Sequence, residues 1–149
     1  MDILDLLKTD HEKVKKLLEQ LQETSNRATG KREKLLQTLS SGLLPHMYAE
    51  EQFFYQILLD ETSEQEEVYS ALEEHRAAKL VLSDLTDAAT DDPRWIARLK
   101  VLKELIEHHV KEEESTIFKI ARKVIDKDRS DSVAKRFREM KKEASAVMA

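Results

Sequence analysis

Apolar residues recur every three or four positions along most of the chain and seldom alternate, which predicts helices and no sheet. From about Asp2 to Arg27 the stripe is Leu4, Leu7, His11, Val14, Leu18 and Leu21. Gly30 is expected to stop that helix in a positive-φ conformation. A second stripe runs from about Lys31 to Leu59 through Leu35, Leu36, Leu39, Leu43, His46, Glu50, Phe53, Phe54 and Ile57. Pro45 lies inside it and removes a backbone donor, so a kink or restart is expected there. Thr62 or Ser63 can cap a third helix, Ser63 and Glu66 having capping-box spacing. Its stripe is Val68, Leu72, His75, Ala78, Leu82 and Leu85, ending near Ala89. Asp92 and Pro93 mark the start of a fourth helix that reaches about Ile125. A last segment, Asp131 to about Val147, places Val133, Phe137, Met140, Ala144 and Val147 on one face. Long helices joined by short turns bury their stripes by lying antiparallel. The expected fold is all-α: an up-down-up-down four-helix bundle over residues 1–126, with an additional amphipathic C-terminal helix over 127–149.

Composition narrows the chemistry. The 149 residues suit one domain, and 25 Lys/Arg against 30 Asp/Glu argue against a general nucleic-acid binder. Cys is absent, which excludes disulfides, thiolate metal sites and a cysteine nucleophile. The N-terminal MDILDLLKTD lacks the basic flank and apolar core of a signal peptide, and no apolar run approaches a membrane span. A cytoplasmic protein without a membrane partner is expected, as monomer or homodimer. Residues 127–149 hold 7 Lys/Arg against 4 Asp/Glu. This basic segment beside an acidic body is expected to dock on its own bundle or on a second copy, the alternative being that its apolar stripe engages another protein.

Self-comparison is more telling. His11 and His75 stand 64 positions apart, while His46 and His109, and Glu50 and Glu113, stand 63 apart. Each half is thus one helix with a His followed by one with His-x-x-x-Glu, whose two side chains project from the same face a turn apart. Four imidazoles and two carboxylates in phase with apolar stripes would be costly to bury unpaired. Ligation removes that cost: two cations can each take two His, with both carboxylates bridging, as in two-metal sites. The candidate ligands are His11, His46, Glu50, His75, His109 and Glu113. A ferritin-like arrangement needs Glu-x-x-His, yet the positions three before each His hold Lys8, Leu43, Leu72, Leu105 and Ile106.

With these pieces assembled, residues 1–125 resemble the hemerythrin-like (HHE cation-binding) family. The resemblance rests on Thr9-Asp10-His11, Pro45-His46-Met47-Tyr48-Ala49-Glu50-Glu51, Glu74-His75-Arg76 and His108-His109-Val110-Lys111-Glu112-Glu113-Glu114. It implies two iron ions per chain as a non-haem di-iron centre, oxo- or hydroxo-bridged, with Zn or Mn as substitutes, held by the six residues above. It also implies that the small-molecule partner is O2, peroxide or NO, in sensing, storage or stress protection. The alternative is a metal-responsive interaction or sensor module without redox turnover. Oxygen-carrying members have a further His where Lys79 stands here, and Asp where Glu114 stands, which argues against simple reversible O2 transport. Lys79 is expected to snorkel to solvent, the alternative being that it or Lys15 reaches a species held at the centre. His108 is expected outside the ligand set, and Glu51 and Glu114 are expected either to orient imidazoles or to face solvent. Leu4, Leu7, Leu18, Leu39, Phe53, Leu72, Leu82, Leu102, Leu105 and Thr116 are expected to wall the site. No nucleophile-and-base arrangement is visible, which argues against a hydrolase or transferase; consumption of peroxide or O2 is compatible with the ligand set.

Overall fold

The computed structural model describes residues 2–148. Among them five helices follow in order, with no strand. Helix α1 is Ile3–Gln22, opened by the Asp2 carboxylate accepting the Asp5 N–H. Helix α2 is continuous through three parts: Thr29–Ala49, a π-helical turn Glu50–Phe54, and Tyr55–Glu61. Helix α3 is Gln65–Asp87. Helix α4 repeats the pattern of α2, with Pro93–Glu112, a π-helical turn Glu113–Ile117, and Phe118–Val124. Helix α5 is Lys127–Met148.

Local chemistry accounts for several of the helix starts. Asp92 caps α4 through Arg94 N–H with Pro93 behind it, as its sequence requires. Four expectations are corrected. Helix α1 stops at Gln22 rather than Arg27, and Gly30 lies in the first turn of α2 without positive φ. At the start of α3 the Thr62 hydroxyl takes the Glu64 N–H, and no Ser63 capping box forms. Pro45 does not restart its helix, which runs unbroken from Thr29 to Ala49. Ser41, whose carbonyl loses its donor to Pro45, is exposed and lines a cavity beside Gly42, so water can reach this part of the helix.

Helices α1 to α4 form a ring of neighbours, and α5 lies in the groove between α1 and α2. Its Val133, Ala134, Phe137 and Ala144 are buried there, while Val147 departs from the expected stripe and is 86% exposed. The Ser130 hydroxyl accepts the Ile3 N–H and Arg129 pairs with Glu61 at 2.7 Å, fastening the start of α5 to the bundle. The core falls into two apolar clusters. One gathers Leu7, Phe54, Tyr55, Leu58, Phe118 and Phe137; the other gathers Val14, Leu18, Leu39, Leu82, Trp95 and Leu102. A layer of buried His and Glu separates them. No described helix is long and apolar enough to cross a membrane.

Candidate metal centre

The six residues singled out by the repeat converge in that layer. His11 comes from α1, His46 and Glu50 from α2, His75 from α3, and His109 and Glu113 from α4; all are buried. Their donor atoms form two groups. His11, His46, Glu50 and Glu113 make one and Glu50, His75, His109 and Glu113 the other, the atoms within each lying within 4.8 Å of one another. Both carboxylates belong to both groups.

The geometry passes a direct test of fit to cations. His46 Nε2 lies 3.0 Å from Glu50 Oε1, and His11 Nε2 lies 3.3 Å from Glu113 Oε1. Yet His11 Nε2, His46 Nε2, both Glu50 oxygens and Glu113 Oε1 make no hydrogen bond among the described residues. Buried polar atoms left this way normally cost free energy. Donor atoms of these residues crowd within 4.8 Å of one another without bonding, as donors do around an ion.

Each imidazole is held from behind by a carboxylate on its Nδ1. Glu114 holds His11 at 2.7 Å, Asp10 holds His46 at 2.8 Å, Glu51 holds His75 at 2.7 Å and Glu74 holds His109 at 2.8 Å. The four contacts obey the same two-fold pattern as the repeat. An Nδ1–H donated outward leaves the Nε2 lone pair facing the centre, the tautomer a metal requires. Glu51 and Glu114 therefore orient rings rather than face solvent. Asp10 and Glu74 do the same and were not anticipated, although an acid precedes the single His in both halves.

The carboxylates of the layer strongly favour positive charge beside them. Burial by itself would lower the His46 and His109 pKa values; Glu50 and Asp10 for the first, and Glu113 and Glu74 for the second, override it and push both up to about 10. Burial opposes ionisation of Asp10, but His46 and Lys141 hold its carboxyl down at about 2. Glu74 is lowered by its bond from His109. In the same way desolvation of Glu113 is outweighed by the neighbouring Glu50, His109 and His11, which keep it well below the usual carboxylate range.

Two features break the symmetry. Tyr55, where the other half has Phe118, donates its hydroxyl to Glu113 Oε2 and lies 3.4 Å from Nε2 of both His75 and His109. Burial and the Glu113 and Glu50 charges hold this phenol well above its ordinary pKa. The π turn places it there: Tyr55 N–H bonds the Glu50 carbonyl five residues back. Lys79 departs from both expectations. Although its side chain is 40% exposed, its ammonium bonds Glu51 at 2.9 and 3.0 Å and so backs His75. His108 is 63% exposed and reaches Glu74 at 3.3 Å, outside both donor groups.

The expected wall also needs correction. A cavity of about 10 Å³ lies against the four imidazoles and Glu50, and its other walls are Val14, Leu43, Met47, Ile106 and Val110. None of the ten expected residues lines it. The repeat pairs Leu43 with Ile106 and Met47 with Val110, one turn before and one residue after each helix-borne His; the expected set mixed faces from above and below the layer. The space holds about one water-sized molecule.

The family model for the hemerythrin HHE cation binding domain matches residues 2–121. The chain belongs to this family of cation-binding helical bundles. The crystal structure of a hemerythrin HHE cation binding domain-containing protein from Mycobacterium kansasii superposes with a TM-score of 0.87 at 20% identity, covering 99% of this chain and 89% of that one. A curated protein of Nostoc sp. (strain PCC 7120) described as a DNA nickase is 26% identical over 143 residues. That match covers 95% of this chain but 39% of the relative, so the chain spans well under half of that protein's length.

Proposed function

We propose that the chain holds two iron ions, one in each group of donors, with Glu50 and Glu113 bridging them, and that it binds or reacts with O2, peroxide or NO in redox sensing, storage or stress protection. The observation that carries this reading is the pair of donor groups sharing two carboxylates, with a water-sized apolar cavity against them. The ligand types alone also suit Mn and Zn; membership of the hemerythrin family is what favours iron. Bound iron would supply exchangeable coordination positions and electrons for a small oxidant.

The chain's own residues do the remainder. Asp10, Glu51, Glu74 and Glu114 hold the imidazoles in one tautomer and orientation. Tyr55 keeps a protonated hydroxyl between His75 and His109. Val14, Leu43, Met47, Ile106 and Val110 admit a diatomic-sized reactant and exclude bulk water. The test begins with anaerobic Fe(II) loading of the whole chain and measurement of bound metal. Two irons per chain are expected, with the content falling in His109→Ala and Glu113→Ala; no stoichiometric uptake overturns the reading. Optical spectra after O2, peroxide and NO, each given separately, follow. A loaded protein whose spectrum ignores all three would remove the oxidant chemistry and leave a metal-holding bundle.

A further inference from the structure

Helix α5 is not a passive appendage. Lys141 Nζ donates to Asp10 Oδ2 at 2.6 Å, and that same oxygen receives His46 Nδ1 at 2.8 Å. The Phe137 ring meets the His46 ring edge to face at a centroid distance of 5.7 Å. His46 is thus fixed from two sides by one helix outside the four-helix ring. In the other half the equivalent carboxylate, Glu74, is met by the exposed His108 at 3.3 Å, and no residue of α5 takes part in that contact. The lysine that backs His75 through Glu51 belongs to α3, within the ring.

The surroundings make this support consequential. A cavity of about 240 Å³ opens between α1, α2 and α5, with Asp10 and His46 on its floor and Lys141 and Ser145 on its α5 side. Water in that space competes for Asp10, and an Asp10 turned outward would no longer hold His46 Nδ1. A fixed ammonium on the shared oxygen opposes that rotation, since charge-assisted hydrogen bonds are the stronger kind.

We infer that α5 completes one of the two cation seats: Lys141 is a positioning residue that acts through Asp10 on His46, so the His11/His46 seat depends on the C-terminal helix and the His75/His109 seat does not. The inference rests on the two-cation reading above and deepens it. It also makes the seats unequal in a way the internal repeat alone does not foresee.

The test uses the full-length, metal-free chain titrated anaerobically with Co(II), followed by its visible d–d absorption. His109→Ala isolates the His11/His46 seat and His11→Ala isolates the other. Lys141→Met keeps an unbranched side chain beside Phe137 and removes the charge, whose nitrogen lies 5.9 Å from that ring's centroid; Lys141→Arg keeps the charge. In the His109→Ala background, Lys141→Met is expected to weaken Co(II) binding by on the order of tenfold, the lower end of what outer partners of metal-bound His contribute. Lys141→Arg is expected to preserve the affinity and absorption of its parent. In the His11→Ala background, Lys141→Met is expected to change neither. Equal weakening in both backgrounds would mean general destabilisation and would overturn the inference, as would no weakening in either. Wild-type chain that takes up no Co(II) would sink the two-cation reading itself, a result distinct from intact uptake that ignores Lys141.

Discussion

Glu113 belongs to both donor groups, whereas each histidine belongs to one. Glu113→Gln is therefore expected to lower metal content toward zero, while His11→Ala leaves about one cation per chain; elemental analysis after anaerobic loading separates the two. Tyr55 offers a second reading at this scale. Its hydroxyl is a buried donor to a buried carboxylate, a kind of bond that contributes about 1.5–3 kcal/mol. Tyr55→Phe should destabilise the metal-free chain by that amount in urea unfolding, without loss of helix by circular dichroism. The six converging donors were legible because chemistry and spacing coincide twice in one chain. Tyr55 was not, although the repeat that aligns it with Phe118 contained the only hint, a hydroxyl present in one half and absent from the other. Lys141 carried no hint at all, because its role depends on where α5 docks.

At the scale of elements, helix existence follows from periodicity, and the π turns show where periodicity stops informing. One extra residue within a helical turn leaves the apolar stripe continuous on either side, so Glu50–Phe54 and Glu113–Ile117 read as ordinary helix in the sequence. Both begin at a shared carboxylate, which ties the irregularity to the site. The helix does not restart at Pro45, and the exposure of Ser41, four residues earlier, makes the missing N–H tolerable. A different device joins the far ends of the helices. Arg32 is buried at the start of α2 and gives its hydrogens to three neutral oxygens, Thr24 Oγ1, Thr24 O and Thr90 O, with its guanidinium 4.5 Å from the Trp95 ring centroid. It clamps the α1–α2 connection to the α3–α4 connection. Arg32→Met removes all three bonds and is expected to cost about 2–4 kcal/mol in chemical denaturation. Cation uptake of the folded variant should be unchanged, because the clamp lies beyond the second apolar cluster.

For the molecule as a whole, the buried polar layer predicts that stability follows metal. Cation binding to the folded chain alone adds about 2.7 kcal/mol per site at a hundredfold excess over Kd. The thermal midpoint should therefore rise with Fe(II) or Co(II) concentration and fall on chelation, which differential scanning calorimetry reads directly; a midpoint indifferent to metal would contradict cation binding in the layer. The two-fold arrangement has one more consequence. Each donor group takes three members from one half of the chain and its fourth, a glutamate, from the other. A backbone cut in the short connection between Glu61 and Gln65 would then leave two helical fragments whose reassembly is driven by the ions themselves, so that divalent metal should act as the trigger for fragment complementation and a chelator as its release.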